Sequence, residues 1–407
     1  MTEISKALLE KRVIKVLTLS QMLSGIGVAG TGAAGSLLVT SITRSDSLAG
    51  LAQTGAVLGA AAMALPLSRL TERGGRKRAL STGYTIGICG ALLAVIGGST
   101  RNIEVLLLGT FFLGAASAAG YQARFAAVDL ASPGSRARSL SIVVWGSTIG
   151  AVSGPNLMEP AGRVSYLLGL PKLVGPYILA IATLSISSLI IFYFLRPDPY
   201  LLSRELSKSF GELTTRSSTR STLNEIARNP AAFFAVISIA VGHLVMVSIM
   251  VMTPIHMAHV DVTLTVIGIV ISAHIAGMYV LSPAVGYFSD RVGRKRVIQV
   301  GLAILLLAAL IAGNSAGDST FPLGIGLFLL GIGWSCTLIA GSALLSESVG
   351  DGLRASAQGA SDFLMNLTGA VGGVMAGITI ALLSYGWLCA LAALPVILLT
   401  LWSYRLP

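Results

Sequence analysis

All four histidines of this 407-residue chain, at positions 243, 256, 259 and 274, fall between His243 and Met278. That stretch also holds five of the eleven methionines: Met246, Met250, Met252, Met257 and Met278. Two pairs stand out, Met246-x-x-x-Met250 and His274-x-x-x-Met278. A four-residue step puts both side chains of a pair on one helix face, about 6 Å apart along the axis. Thioether and neutral imidazole need no deprotonation, so together they suit a soft or borderline metal, copper(I) above all. His256, Met257 and His259 lie in the connection between the two pairs and would form a capture site at its mouth. The competing chemistry is plainer. Methionine is a common filler of helix packing, and a cavity histidine can relay protons or accept hydrogen bonds instead of binding metal.

The elements that must position these residues are membrane helices. The chain is 54% hydrophobic and only 11% charged, about half the charged fraction of a soluble protein. Apolar runs of about 20 residues recur with short polar breaks. They fall near 13–40, 48–71, 79–99, 103–128, 139–158 and 173–195, then near 231–255, 263–289, 296–313, 320–346, 356–382 and 386–404. A Ser-, Thr-, Arg- and Glu-rich segment from Arg196 to Asn229 separates the two sets. The expected organisation is therefore an all-α membrane protein with twelve transmembrane helices. Residues 1–195 form one six-helix bundle, 196–229 a cytoplasmic linker and 230–407 a second bundle. The first run is too long for a cleaved signal peptide and reads as a retained helix.

The net charge of +11 follows from topology. On this helix map Arg44, Arg101, Arg163 and Lys172 face the side opposite the N-terminus, and Arg124 lies within a helix. The other basic residues lie on the N-terminal side. That asymmetry places both termini in the cytoplasm, in a multi-pass protein of the cytoplasmic (inner) membrane, and calls for no nucleic-acid partner. The three cysteines, Cys89, Cys336 and Cys389, are scattered in apolar runs and imply neither a disulfide framework nor a zinc motif.

The two halves repeat. The segment Ser68-Arg69-Leu70-Thr71-Glu72-Arg73-Gly74-Gly75-Arg76-Lys77-Arg78 aligns at constant offset with Gly286-Tyr287-Phe288-Ser289-Asp290-Arg291-Val292-Gly293-Arg294-Lys295-Arg296. Acid, arginine, glycine and the closing basic triplet coincide. Two copies in equivalent places resemble the signature loop of the major facilitator superfamily, roughly G-x-x-x-D-R-x-G-R-R. The second copy matches well, whereas the first has Ser68 for glycine and Glu72 for aspartate. The resemblance covers essentially the whole chain. It implies two six-helix bundles that rock around a midplane site. It also implies a conformational latch, with gating roles for Glu72, Arg73, Asp290, Arg291 and Arg294.

Ionisable residues inside a span are costly and mark functional candidates. Arg124, in Tyr121-Gln122-Ala123-Arg124, could bind a substrate anion or couple to a proton; it could also snorkel or pair with Asp129. Asp362 and Asn366, at i and i+4, could be coupling residues or braces for the signature loop. Gly146, Gly150 and Gly154 followed by Pro155 allow close helix packing, and in part resemble the fifth-helix motif of the superfamily's antiporters. Trp145 beside them could touch a substrate. No nucleotide-binding loop, metalloprotease motif or nucleophile triad is present, so the chain reads as no enzyme, needing no cofactor and drawing on an ion or solute gradient.

The paired Met and His motifs resemble those of the facilitator-type bacterial copper importers that supply cytochrome oxidase assembly. On that resemblance the expected function is copper import, by symport or antiport, through a ladder of Met246, Met250, His274 and Met278, acting as a monomer in the bilayer. Related facilitators carry similar text and move organic solutes, riboflavin among them. The alternative expectation is therefore proton-coupled transport of a drug-like or vitamin-like solute in either direction, with Arg124, Trp145 and the same Met/His residues as its contacts.

Overall fold

A computed structural model describes residues 3–45, 48, 50–209, 219–258, 260–350 and 352–405. Among them the chain is all helical: α1 (Glu3–Thr43), α2 (Leu51–Thr100), α3 (Ile103–Ala126), α4 (Arg136–Asn156), α5 (Met158–Leu167), α6 (Gly175–Phe194), α7 (Pro199–Ser209), α8 (Thr219–Arg228), α9 (Pro230–Ala258), α10 (Leu264–Tyr279), α11 (Ser282–Val292), α12 (Arg294–Gly313), α13 (Thr320–Ser348), α14 (Arg354–Leu382) and α15 (Tyr385–Ser403). Ten stretches of the described chain are helical, long and apolar enough to cross a membrane. The protein is thus a multi-pass membrane protein.

Helix α2, at 50 residues, would be about 75 Å long if straight, more than twice the hydrocarbon thickness. It breaks at Gly75, whose φ of 83° and ψ of 173° leave the helical region. Only glycine takes that conformation without strain. The break is also cupped by a carboxylate. Asp198 accepts from Lys77 N at 2.7 Å and from Tyr200 N at 3.0 Å, so it fastens the break to the start of α7. The run expected over 263–289 is likewise two helices, α10 and α11, with a proline in the first turn of the second. Within 196–229, expected as a polar linker, the described residues form α7 and α8.

By contact the chain groups into two compact units. The first comprises Met1–Ala131, Gly146–Ser217 and Asp351–Phe363. The second comprises Ser132–Trp145, Ser218–Gly350 and Leu364–Pro407. In the first unit, α2 packs closely along α3, and α1 and α2 pack on α6. The glycine stripe of α4 is where that helix meets α1. A Cβ at Gly154 would lie 2.5 Å from Ala29 Cβ and 2.9 Å from Gly30 N, and one at Gly146 would lie 3.0 Å from Thr18 O. The stripe therefore serves close packing. In the second unit α13 is central, covered by α9, α10 and α12, with α15 against α12 and α9.

Candidate functional site

The first unit carries two buried arginines that converge on one face of α14. Arg124, in the last turn of α3, is 2% exposed and its partner Asp362 is fully buried. Arg124 Nη2 donates to Asp362 Oδ1 at 2.5 Å and Nη1 donates to the Tyr121 carbonyl at 2.9 Å. The guanidinium also lies over the Phe125 ring, 4.5 Å from its centroid, a favourable cation–π placement. Four residues earlier on α14, Gln358 Oε1 accepts from Arg76 Nη2 at 2.6 Å. Arg76 holds Asp129 with two prongs, Nε to Oδ2 at 2.8 Å and Nη2 to Oδ1 at 3.1 Å. A helix puts residues 358 and 362 one turn apart on one face, so α14 presents an amide and a carboxylate to two guanidinium groups. Asp129, a sequence candidate to pair with Arg124, is instead the partner of Arg76.

The second unit repeats the loop chemistry with different partners. Asp290, near the end of α11, accepts from Ala137 N at 3.1 Å and Arg138 N at 2.8 Å. These are first-turn amides of α4, which lack intrahelical acceptors and carry the positive end of the helix dipole. Arg294 Nη2 bridges Asp290 and Glu347, each at 2.8 Å. Arg73 and Arg291, the nearer loop arginines, are exposed, with Arg291 over the Tyr287 ring. In both copies the arginine of the closing basic triplet makes the ion pair. Reading Arg76 as the repeat counterpart of Arg294 would have found it. Glu72 Oε1 is buried with no hydrogen-bond partner among the described residues, while the Glu72 carbonyl accepts from Arg204 at 3.4 Å. Trp145 is half-buried and Asn366 is buried on α14.

The Met/His residues point to several different neighbours. His274 is fully buried, and its Nδ1 donates to the Leu327 carbonyl of α13 at 2.8 Å. A Cβ at Gly331 would lie 2.7 Å from Met278 N, so α10 is pressed against α13. It barely touches α9, the helix that bears Met246 and Met250. Met246 and Met278 are buried core side chains, and Met250 is half-buried. His243 accepts at Nδ1 from Trp334 Nε1, 3.0 Å away, a contact the sequence did not suggest. Near the end of α9, His256 stacks on Tyr385, with ring centroids 4.3 Å apart and an 8° tilt. Its Nε2 lies 3.2 Å from the Ser315 carbonyl, and the neighbouring Met257 is fully buried. His259 lies outside the described residues. Among the described residues no group of three or more His, Cys, Asp or Glu could hold a metal ion.

Comparison with known proteins agrees with the repeat. The sequence profile of the Major Facilitator Superfamily matches residues 17–261 and 236–407. The chain is 36% identical to the uncharacterized MFS-type transporter YdeG of Bacillus subtilis, over 97% of this chain and 92% of that protein. It is 25% identical to the riboflavin transporter RfnT of Brucella anthropi, over 93% of this chain and 90% of that protein. Among solved structures, the human organic anion transporter MFSD10 superposes with a TM-score of 0.75 at 15% identity, covering 97% of this chain and 99% of that one. The expected copper importer is overturned. Among the described residues no group of three or more His, Cys, Asp or Glu could hold a metal ion, the supposed ladder is divided between helices that each turn to α13, and the relative with an assigned cargo is a riboflavin transporter. What remains, from a family profile spanning nearly the whole chain, is membership: the chain belongs to the Major Facilitator Superfamily.

Proposed function

We propose that this protein is a secondary transporter that carries a small organic solute across the cytoplasmic membrane by alternating access, coupled to protons. The observation that carries this reading is the likeness, along 93% of the chain, to a riboflavin transporter. A planar nitrogen heterocycle of the riboflavin class is therefore the first cargo to test. Twelve spans follow when α2 counts as two arms and α10–α11 as one, with α1, α3, α4 and α6 in the first set and α9, α12, α13, α14 and α15 in the second. Residues 1–195 and 230–407 are then the two bundles, 196–229 is the linker, and the basic residues favour cytoplasmic termini. The functional unit is the monomer.

The Arg124–Asp362 pair supports proton coupling. Two charges buried among membrane helices are costly to keep unless they serve the cycle. Protonating the carboxylate would release the guanidinium, which could then engage an electron-rich carbonyl or anionic edge of the solute. The latch belongs to Glu72, Arg76 and Asp129 in one copy and to Asp290, Arg294 and Glu347 in the other.

The test is counterflow of labelled riboflavin in proteoliposomes, beside a panel of flat dyes and organic anions. Arg124→Ala should abolish transport. Asp362→Asn should keep exchange but lose accumulation driven by a proton gradient. If no member of the panel moves in the unmodified protein, the cargo class is wrong. If Asp362→Asn accumulates solute normally, the coupling assignment is wrong.

A further inference from the structure

Helix α5 has ten residues, so it is about 15 Å long, half the thickness of a bilayer's hydrocarbon core. It is not one of the ten candidate spans, yet its tip is strongly apolar. Leu167 is 84% exposed, and Val164, Tyr166 and Leu168 are exposed with it. Val164, Leu167 and Leu168 stand at i, i+3 and i+4, on one helix face. The tip is firmly built. Leu168 N donates to Val164 O at 3.2 Å and Leu170 N to Ser165 O at 3.0 Å. Gly169 takes the left-handed turn at φ 75°, and the buried Ser165 Oγ donates to the Pro171 carbonyl at 2.8 Å.

The depth of this hairpin follows from α6. Its twenty residues, Gly175–Phe194, are about 30 Å long, the full hydrocarbon core. Gly175 lies directly against Ala161 of α5, so Ala161 sits at the core boundary. Residues 162–174 therefore occupy the head-group layer, about 5–7 Å deep. Into that layer the hairpin brings two of the few cations on its face of the membrane. Arg163 and Lys172 line a cavity of about 290 Å³ with Met158, Glu159 and Leu173. Lys172 Nζ lies 5.5 Å from the Tyr166 ring centroid, and Arg163 reaches back to Glu159 at 2.6 Å.

We infer that this hairpin is an interfacial binding site for an anionic membrane lipid, with the phosphate between Arg163 and Lys172 and the acyl chains beside Val164, Leu167 and Leu168. An acidic phospholipid brings a net negative charge and acceptor oxygens suited to a guanidinium fork and an ammonium. An amphipathic segment that combines cations with bulky apolar side chains is what lies in a membrane interface. Glu159 competes with the phosphate for Arg163 and moderates the site.

The experiment uses the full chain in a Cys89→Ser background, with a spin label on Leu167→Cys, in vesicles of phosphatidylcholine with or without phosphatidylglycerol. Native mass spectrometry counts the lipids retained. The label should be accessible to oxygen and shielded from an aqueous nickel complex. One phosphatidylglycerol should be held in preference to phosphatidylcholine. Arg163→Gln or Lys172→Gln should each weaken that retention by roughly two- to fivefold, and Glu159→Gln should strengthen it. An aqueous-exposed label in both vesicles would mean that the tip meets solvent or a protein partner, and would overturn the inference. So would retention indifferent to all three substitutions, or displacement of the lipid by millimolar inorganic phosphate.

Discussion

Removing one member of the Arg124–Asp362 pair should strand the other charge without its counter-charge, and a double-substitution cycle will measure the coupling between the two. Both side chains are essentially without solvent contact. At about 4 Å between charge centres and an effective dielectric of about 20, their attraction is roughly 4 kcal/mol. Deleting one partner of a buried pair typically costs about 3–5 kcal/mol, because the other charge stays buried without its counter-charge. Asp362→Ala and Arg124→Ala should each fall near that range. The double substitution removes both charges and should cost less than their sum by at least about 2 kcal/mol, roughly a thirtyfold effect on the folding equilibrium. The assay is unfolding of the four proteins by dodecyl sulfate in mixed micelles, followed by intrinsic tryptophan fluorescence. Additivity within about 0.5 kcal/mol would mean that the two charges do not share an interaction, and would refute both the pairing and the coupling role built on it.

Arg76→Lys keeps the charge but loses the two-pronged hold on Asp129, and should cost about 1–3 kcal/mol. Arg73→Lys, at an exposed position, should stay within about 0.5 kcal/mol. Thermal unfolding in detergent distinguishes the two, and equal effects would undo the reassignment of the latch arginine. Trp334→Phe takes the indole donor from His243 Nδ1 and should destabilise by about 1–3 kcal/mol, read in the same assay. Met246→Leu and Met278→Leu, in positions filled as ordinary core, should each cost less than about 1.5 kcal/mol; a larger loss would give these thioethers a role beyond packing.

Helix locations were legible because apolar runs of membrane length leave little else for the backbone to do. The breaks were less so. The pattern places one boundary near Gly74-Gly75, but it does not reveal that Asp198, far along the chain, cups the turn. Helix α5 is not legible because Met158–Leu167 mixes charged and apolar residues in a stretch too short to read as a span. Loop chemistry was legible as a repeat, yet which arginine turns inward depends on where Asp129 and Glu347 come to lie. The Met/His stretch marks the limit most clearly. Four-residue spacing guarantees a shared face on one helix, but not what that face meets. His274 meets the Leu327 carbonyl, 53 residues away, and no local pattern encodes that. The pairing of Arg124 with Asp362, 238 residues apart, is hidden from local pattern for the same reason.

The way the contact units draw on the chain has a consequence for dissecting the protein genetically. One unit takes Asp351–Phe363 from the later half of the sequence, and the other takes Ser132–Trp145 from the earlier half. A gene split between α7 and α8 would thus give two polypeptides, each lacking a helical segment that its own unit packs around. The first fragment would leave Arg76 and Arg124 without Gln358 and Asp362. The second would leave Asp290 without the α4 amides that it caps. Neither half should accumulate as a folded protein alone, whereas co-expression should restore both through reciprocal exchange of those segments. The chain would then behave as an obligate pair of complementing fragments.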